Sequence, residues 1–175
     1  MTELELRPDC ARCDALCCVV LAFDASSAFA FSKPACVPCR NLSADNTCTV
    51  HEGLAEQGFR GCAVYDCNGA GQRLTGQVFK NRSWRDDPGL LPAIDAAFRV
   101  MRRLHDAVVL LTQAERLPLS PEQEQTRADL LIRLDASRDR SEAALQDLDT
   151  GPDLKAVAAF LASLRPTVGL KPTHR

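Results

Sequence analysis

Four cysteines stand within nine positions near the N-terminus, in CARCDALCC, residues 10–18. Thiolate sulfur is a soft donor, and cysteines separated by two to four residues suit zinc or iron–sulfur centres. The pattern goes on along the chain. Cys36 and Cys39 form a second C-x2-C, Cys48 and His51 a C-x2-H, and Cys62 and Cys67 enclose four residues. One C-x2-C is a weak signal; two of them, with a C-x2-H and two further cysteines close by, point to metal binding. All nine cysteines fall within the first 67 of 175 residues. An odd number sits badly with a pure disulfide framework, and the N-terminus lacks the basic and apolar regions of a secretory signal. The expected compartment is the cytoplasm, where thiols stay reduced.

The tight spacing has a geometric consequence if residues 10–22 are helical. At about 100° per residue, Cys10, Cys13 and Cys17 lie within about 60° of one another and form one face. Cys18 is rotated off that face. It then serves a second centre, bridges two metals, or stands apart as a buried thiol. The doubled cysteine therefore argues for two adjacent centres or for one polynuclear cluster.

The run C-x2-C-x3-C-C, followed by PCRNL (38–42), CTVH (48–51), Cys62 and Cys67, resembles the bacterial CxxCxxCC-type domain, a zinc- or iron-chelating family. The stretch from Cys10 through GCAVYDCNGAGQ (61–72) is closer still to a Cys-rich region at the start of some bacterial pentapeptide-repeat proteins. The resemblance covers residues 10–85 and implies eight ligands: Cys10, Cys13, Cys17, Cys18, Cys39, Cys48, Cys62 and Cys67. Eight thiolates fit two four-Cys sites, or one cluster plus one zinc. The chain departs from the general family in having three residues between its second and third cysteines, and LAEQGFRG where that family has Arg-Pro. No pentapeptide repeats follow. Cys36 lies outside the pattern, and His51 is either a ligand or a neighbour hydrogen-bonding to one.

Other features read more plainly. NGAGQRLTG (68–76) lacks the Gly-Lys-Ser/Thr of a phosphate-binding loop and is expected to be a tight turn that lets backbone pass close to the thiolates. Trp84 and Phe79 are expected to pack between the two halves. His105 falls on the edge of an apolar helical stripe and reads as a core or boundary histidine; His174 reads as solvated. No Ser-His-Asp set or paired carboxylates mark a catalytic centre.

The elements that must position the cysteines divide at residue 89. Residues 1–89 are irregular and Cys-rich, with short helical stretches at 10–22 and 52–58 and a short strand at 77–80. Residues 90–165 read as helices. Ile94, Phe98, Met101, Leu104, Val108 and Leu111 recur at three- and four-residue steps, predicting a helix over 90–116. Ser120, Pro121 and Gln123 form a helix start, with the second helix running to 148. Gly151-Pro152 precedes a third, with Leu154, Val157, Leu161 and Leu164 inward. Residues 166–175 read as a mobile tail. The expected fold is mostly α: an irregular metal-binding half packed on an antiparallel bundle of two to three helices.

Charge is balanced, with 21 basic and 23 acidic residues. The longest basic cluster is Arg102-Arg103, which gives no footing for nucleic acid. No stretch approaches the ~20 apolar residues of a membrane span. The expected function is that of a metal-thiolate protein carrying an iron–sulfur cluster of the 4Fe-4S type, acting in electron transfer or redox sensing. The alternative is a zinc-binding structural module. In either case the helical half is the expected contact for a protein partner or a second copy.

Overall fold

A computed structural model describes residues 5–134 and 141–166. Seven α-helices follow one another among the described residues: α1 (Leu16–Val20), α2 (Arg60–Ala63), α3 (Ala70–Arg73), α4 (Leu91–Ala114), α5 (Pro121–Leu134), α6 (Glu142–Thr150) and α7 (Asp153–Ser163). Among the described residues there is no strand, only the isolated bridges Phe23–Lys33, Ser26–Phe29 and Leu42–Cys48. The fold is mostly α. No described helix is long and apolar enough to cross a membrane.

α4 organises the molecule. Its periodic residues Ile94, Phe98, Met101, Leu104, Val108 and Leu111 are all buried, and the opposite face is charged. α5, α6 and α7 pack against α4 on one side of the chain order, and α1 and α3 on the other. Burial of an apolar stripe in this way is what stabilises a helix that propensity alone leaves marginal. The start of α5 is a reciprocal cap: Gln123 N donates to Ser120 Oγ (3.2 Å), and Ser120 N donates to Gln123 Oε1 (2.9 Å). Arg127, buried on α5, donates to the Leu111 carbonyl of α4 (3.2 Å) and pairs with Glu124.

Four local expectations change. The second helix does not run from 121 to 148 unbroken: Ser141 is extended, accepts from Ala144 N (3.2 Å), and caps a separate α6. On α7, Val157 and Leu164 are buried as expected. Leu154 and Leu161 are half-buried, and Phe160 takes an inward place. The strand over 77–80 is instead the end of a π turn, Leu74–Val78, closed by Phe79 N donating to Leu74 O (2.9 Å). This turn sends Leu74, Val78 and Phe79 into the core. At 52–58 the chain forms a 3-10 turn, His51–Gly53, and further turns that end at left-handed Gly58. The expected tail at 166–175 lies, beyond Pro166, outside the described residues, as does His174.

The N-terminal half has a small core of its own. Phe23 stacks on Phe29 (centroids 4.4 Å apart), Phe31 meets Phe59 edge-on (5.0 Å), and the Arg40 guanidinium lies 3.6 Å over the Phe31 ring. Trp84 and Phe79 are buried in the shared core, as their sequence position suggests.

Candidate metal centre

The segment carrying the first four cysteines is not one helix. Cys10–Arg12 is a 3-10 turn capped by Asp9, Cys13 is extended, and Ala15 is left-handed at φ 54° before α1 begins. The cause is Asp14. Its carboxylate accepts from Asn46 Nδ2 (2.6 Å) and Ser83 Oγ (2.7 Å), its carbonyl accepts from Trp84 Nε1 (2.8 Å), and its N–H donates to Thr75 Oγ1 (3.2 Å). Four contacts from distant segments override the short helix. The expected single helical face of Cys10, Cys13 and Cys17 therefore does not exist, and what gathers these cysteines is the fold around them.

Gly71, the second residue of α3, lies against Cys13. A Cβ placed there would stand 2.5 Å from Cys13 Sγ and 4.0 Å from Cys67 Sγ, so both sulfurs crowd one backbone position. Gly69, left-handed at φ 81°, makes the turn into α3 that brings Gly71 to this place. The glycine-rich stretch is thus the close backbone approach to the thiols that its composition suggests.

The sulfurs fall into two neighbourhoods. Burial pushes the Cys13 thiol up to about 12, with Cys67 and Cys10 adding repulsion and the N–H groups of Leu16 and Ala15 drawing it back. Burial also raises Cys10, whose strongest thiol neighbour is Cys67 and next Cys18. Cys17 is raised by its contact with Cys18 and by burial, with Cys13 and Cys67 also facing it. These four, Cys10, Cys13, Cys17 and Cys67, make the first group. In the second, burial raises Cys48, against a hydrogen bond from Val50 N–H, with Cys18 and Cys39 as its thiol neighbours. Burial pushes Cys62 up to about 11, its neighbours being Cys18, Cys39 and Cys48. Cys39 N donates to the Cys18 carbonyl (2.9 Å), which fixes that pair. The groups meet where Cys17 and Cys18 Sγ lie 4.0 Å apart. There the Cys18 thiol is lowered to about 7 by its contact with Cys17 and by the charge of Lys33, against its burial.

All nine cysteines are free thiols. Among the described residues, no three His, Cys, Asp or Glu side chains are drawn together as ligands of a single ion; the thiols share neighbourhoods, not a closed tetrahedron. Cys36 stands apart from both groups. It is left-handed (φ 57°), its charged neighbours are Asp95, Arg99 and Lys33, and burial raises its thiol. His51 is exposed on its 3-10 turn. His105 is buried in the core, with Nδ1 2.5 Å from the Asn68 carbonyl and Nε2 3.4 Å from Arg73 Nη1. Burial lowers it to about 4, so the ring is neutral, with its proton on Nδ1.

Three participants carry no signal in the sequence. Asp14 acts through contacts far along the chain, and Lys33 through the carbonyls of Val19, Pro34 and Val37. The third is Tyr65, between Cys62 and Cys67, whose hydroxyl is buried with no hydrogen-bond partner of ordinary geometry. The Arg102 guanidinium of α4 lies 4.6 Å over the Tyr65 ring, and its Nε is also unpartnered. Burial raises the phenol, the Arg102 charge and contact draw it back, and Cys17 and Cys67 face it. Leaving such a hydroxyl unpaired costs about 1–3 kcal/mol. An orphan donor beside a set of thiols fits a group rich in acceptor atoms, as a metal-thiolate or metal-sulfide centre is.

No family model matches the chain, and no solved structure matches it. The chain is similar to a curated relative, the uncharacterized protein YybG of Bacillus subtilis (strain 168), with 39% identity over 110 residues, 63% of this chain. The match is longer than the 89-residue Cys-rich half, so it reaches into the helices. It covers 39% of the relative, so the chain spans about two fifths of that protein's length.

Proposed function

We propose that the chain is a metal-thiolate protein with two four-Cys centres. The first is held by Cys10, Cys13, Cys17 and Cys67, the second by Cys18, Cys39, Cys48 and Cys62. The observation that carries this reading is the grouping of eight thiols into two neighbourhoods joined at Cys18, which faces Cys10 and Cys17 on one side and Cys48 and Cys62 on the other. Adjacent residues on one helix turn point roughly 100° apart, so one peptide can feed two neighbouring centres. In this reading the Cys-rich half rests on an antiparallel bundle, and Cys36 and His51 are not ligands. The resemblance to the CxxCxxCC-type chelating domain supports the same eight residues.

The centres are iron–sulfur clusters serving electron transfer or redox sensing in the cytoplasm. The cysteine-only donor sets and the crowding of their thiols suit such clusters. When bound, such a cluster supplies a one-electron couple whose potential answers to nearby hydrogen bonds and burial. The chain's own contribution is to bury Cys13 and Cys17 in part while Cys10 stays exposed, to aim the Ala15, Leu16 and Val50 N–H groups at sulfur, and to hold the Tyr65 hydroxyl beside it. A zinc module is the second reading. It is favoured by the scarcity of regular structure between α1 and α2, where cross-linking by a metal would supply folding energy directly.

The test is an ultraviolet–visible spectrum of anaerobically purified protein before and after dithionite, with metal and sulfide analysis of the same sample. Iron, sulfide and a band near ~400 nm that bleaches establish the cluster. A colourless protein with about two zinc ions per chain moves the conclusion to the structural module. Paired thiols with neither metal sink both.

A further inference from the structure

Lys33 is 4% exposed, and its burial among thiols needs an explanation. Its three ammonium donors are all engaged, with the carbonyls of Val19 (2.8 Å), Pro34 (3.0 Å) and Val37 (2.7 Å). An ammonium has three donors and no acceptor, so the hydrogen bonding is complete. The charge is not balanced by it: three neutral carbonyls orient a cation without neutralising it. Among the described residues none of the ion pairs includes Lys33. The ionisable groups that weigh most on its charge are Cys39, Cys18, Cys36 and Cys17, in that order. The Phe23 ring lies 5.9 Å below it and adds a weak attraction.

A buried cation without an opposite charge is costly, and proteins pair such groups or neutralise them. The carbonyls that hold Lys33 come from the last turn of α1 and from the loop at 34–37. That is the seam where α1, with Cys18, meets the loop leading to Cys39. The same seam is closed by Cys39 N donating to Cys18 O and by Cys36 N donating to Val20 O (3.4 Å). Lys33 itself is pinned by both backbone bonds of its bridge to Phe23 (3.0 and 2.7 Å). The ammonium is therefore fixed in place and not a mobile side chain that happens to lie nearby.

We propose that Lys33 is the built-in counter-ion of the second centre, fixed by three carbonyls so that its positive charge offsets the net negative charge that four thiolates and their metal carry. This role rests on the two-centre reading above. A core of charge +2, whether a 4Fe-4S cluster or a single divalent ion, held by four thiolates keeps two net negative charges, and the Lys33 ammonium is the buried charge that the fold sets against them. Of the first centre's cysteines, Cys17 stands among the groups that face Lys33 and comes last, behind Cys39, Cys18 and Cys36, while the other strong neighbours of that centre are thiols and acids. The two centres are thus electrostatically unequal, and removing the charge should weaken one and spare the other.

The experiment is an anaerobic cobalt(II) titration of the full chain after metal removal, followed by sulfur-to-cobalt absorption, on wild type, Lys33→Met and Lys33→Arg. The expected result is two cobalt equivalents for wild type. In Lys33→Met one equivalent binds about tenfold or more weakly, and the other is unchanged. Lys33→Arg, which keeps the charge, recovers most of the lost affinity, as a purely packing role would not. Two equivalents at wild-type affinity in Lys33→Met overturn the counter-ion role while leaving both centres standing. Should Lys33→Met fail to fold, Lys33→Arg decides: wild-type loading supports the role, and loss of one equivalent in a folded protein overturns it. A wild-type chain that takes up neither cobalt nor, on anaerobic reconstitution, iron and sulfide overturns the two-centre reading itself, and Lys33 with it.

Discussion

The sharpest perturbation of the first group is Gly71→Ala. The added Cβ would stand 2.5 Å from Cys13 Sγ, 3.6 Å from Cys13 Cβ and 4.0 Å from Cys67 Sγ. Ordinary non-bonded contact needs about 3.5–4.0 Å, so the Cys13 sulfur must retreat by at least about 1 Å. Two terms then compete. Alanine gains about 1 kcal/mol over glycine in a helix interior, while overpacking a dense site costs about 1–3 kcal/mol. The metal-free protein should lose no more than about 2 kcal/mol, and a variant that still folds is expected. The metal is another matter. Metal–sulfur bonds are about 2.3 Å long, and a thiolate displaced by about 1 Å is no longer a ligand. Gly71→Ala should therefore retain the fold and lose one metal centre.

Gly76→Ala is the matched control. Gly76 is exposed in the π turn, and a Cβ added there would meet nothing within 4 Å, so alanine should be neutral or slightly stabilising. The assay is a paired measurement of thermal unfolding and of metal equivalents per chain, on both variants and wild type. Loss of about one centre in Gly71→Ala, with two kept in Gly76→Ala, is the expected pattern. Full metal occupancy in a folded Gly71→Ala would refute the reasoning, because Cys13 would then be shown not to ligate. Equal loss in both variants would refute it too, since the effect would follow glycine removal and not the approach to sulfur.

Three further outcomes follow from the geometry. Asp14→Ala strands the Asn46 amide and Ser83 hydroxyl donors, and should cost about 2–4 kcal/mol in urea unfolding; Asp14→Asn, which keeps one acceptor, should recover part of it. Ala15→Gly should stabilise by about 0.5–1 kcal/mol, because a left-handed alanine at φ 54° is strained and glycine is not; a destabilised variant counts against that backbone. His105 is lowered from 6.5 to about 4 by burial, so protons bind the unfolded chain more tightly. Its contribution is intact above pH 6.5 and is lost as pH falls towards 4, amounting to about 2 kcal/mol by pH 5. Comparing the pH 7.5-to-5 stability change of wild type with that of His105→Gln checks this, and equal changes count against a buried neutral imidazole.

The helices after residue 90 were legible because their signals are local. The stripe from Ile94 to Leu111 is spaced for one face, and Ser120 and Gln123 cap each other across three residues. The break between α5 and α6 was missed: Ser141 starts a new helix within a stretch whose leucines keep helical spacing on both sides. The Cys-rich half was legible in its residue types and not in its path. Alanine at position 15 carries no mark of a left-handed backbone. What imposes it is Asp14, through partners 32, 69 and 70 residues away. The division of the cysteines has the same character. Spacing groups Cys10, Cys13 and Cys17, but their fourth neighbour, Cys67, is brought in by a turn at Gly69 and a glycine at 71 that sequence can suggest and not locate.

The same turn explains why a Cys-rich module and a set of helices should depend on each other. Asn68, next to Cys67, donates through Nδ2 to Asp106 of α4 (2.8 Å), and its carbonyl accepts from His105 of α4. Asp106 in turn pairs with Arg102, which covers the Tyr65 ring two residues before Cys67. Little more than one turn of α4 thus holds the segment from Tyr65 to Asn68 from one side, while Gly71 presses on Cys13 from the other. Displacing Cys67 means breaking a buried histidine's hydrogen bond, and that cost passes straight into α4, the helix on which α5, α6 and α7 pack. A change of state at the first group has a physical route to the helical half through Asn68 and His105.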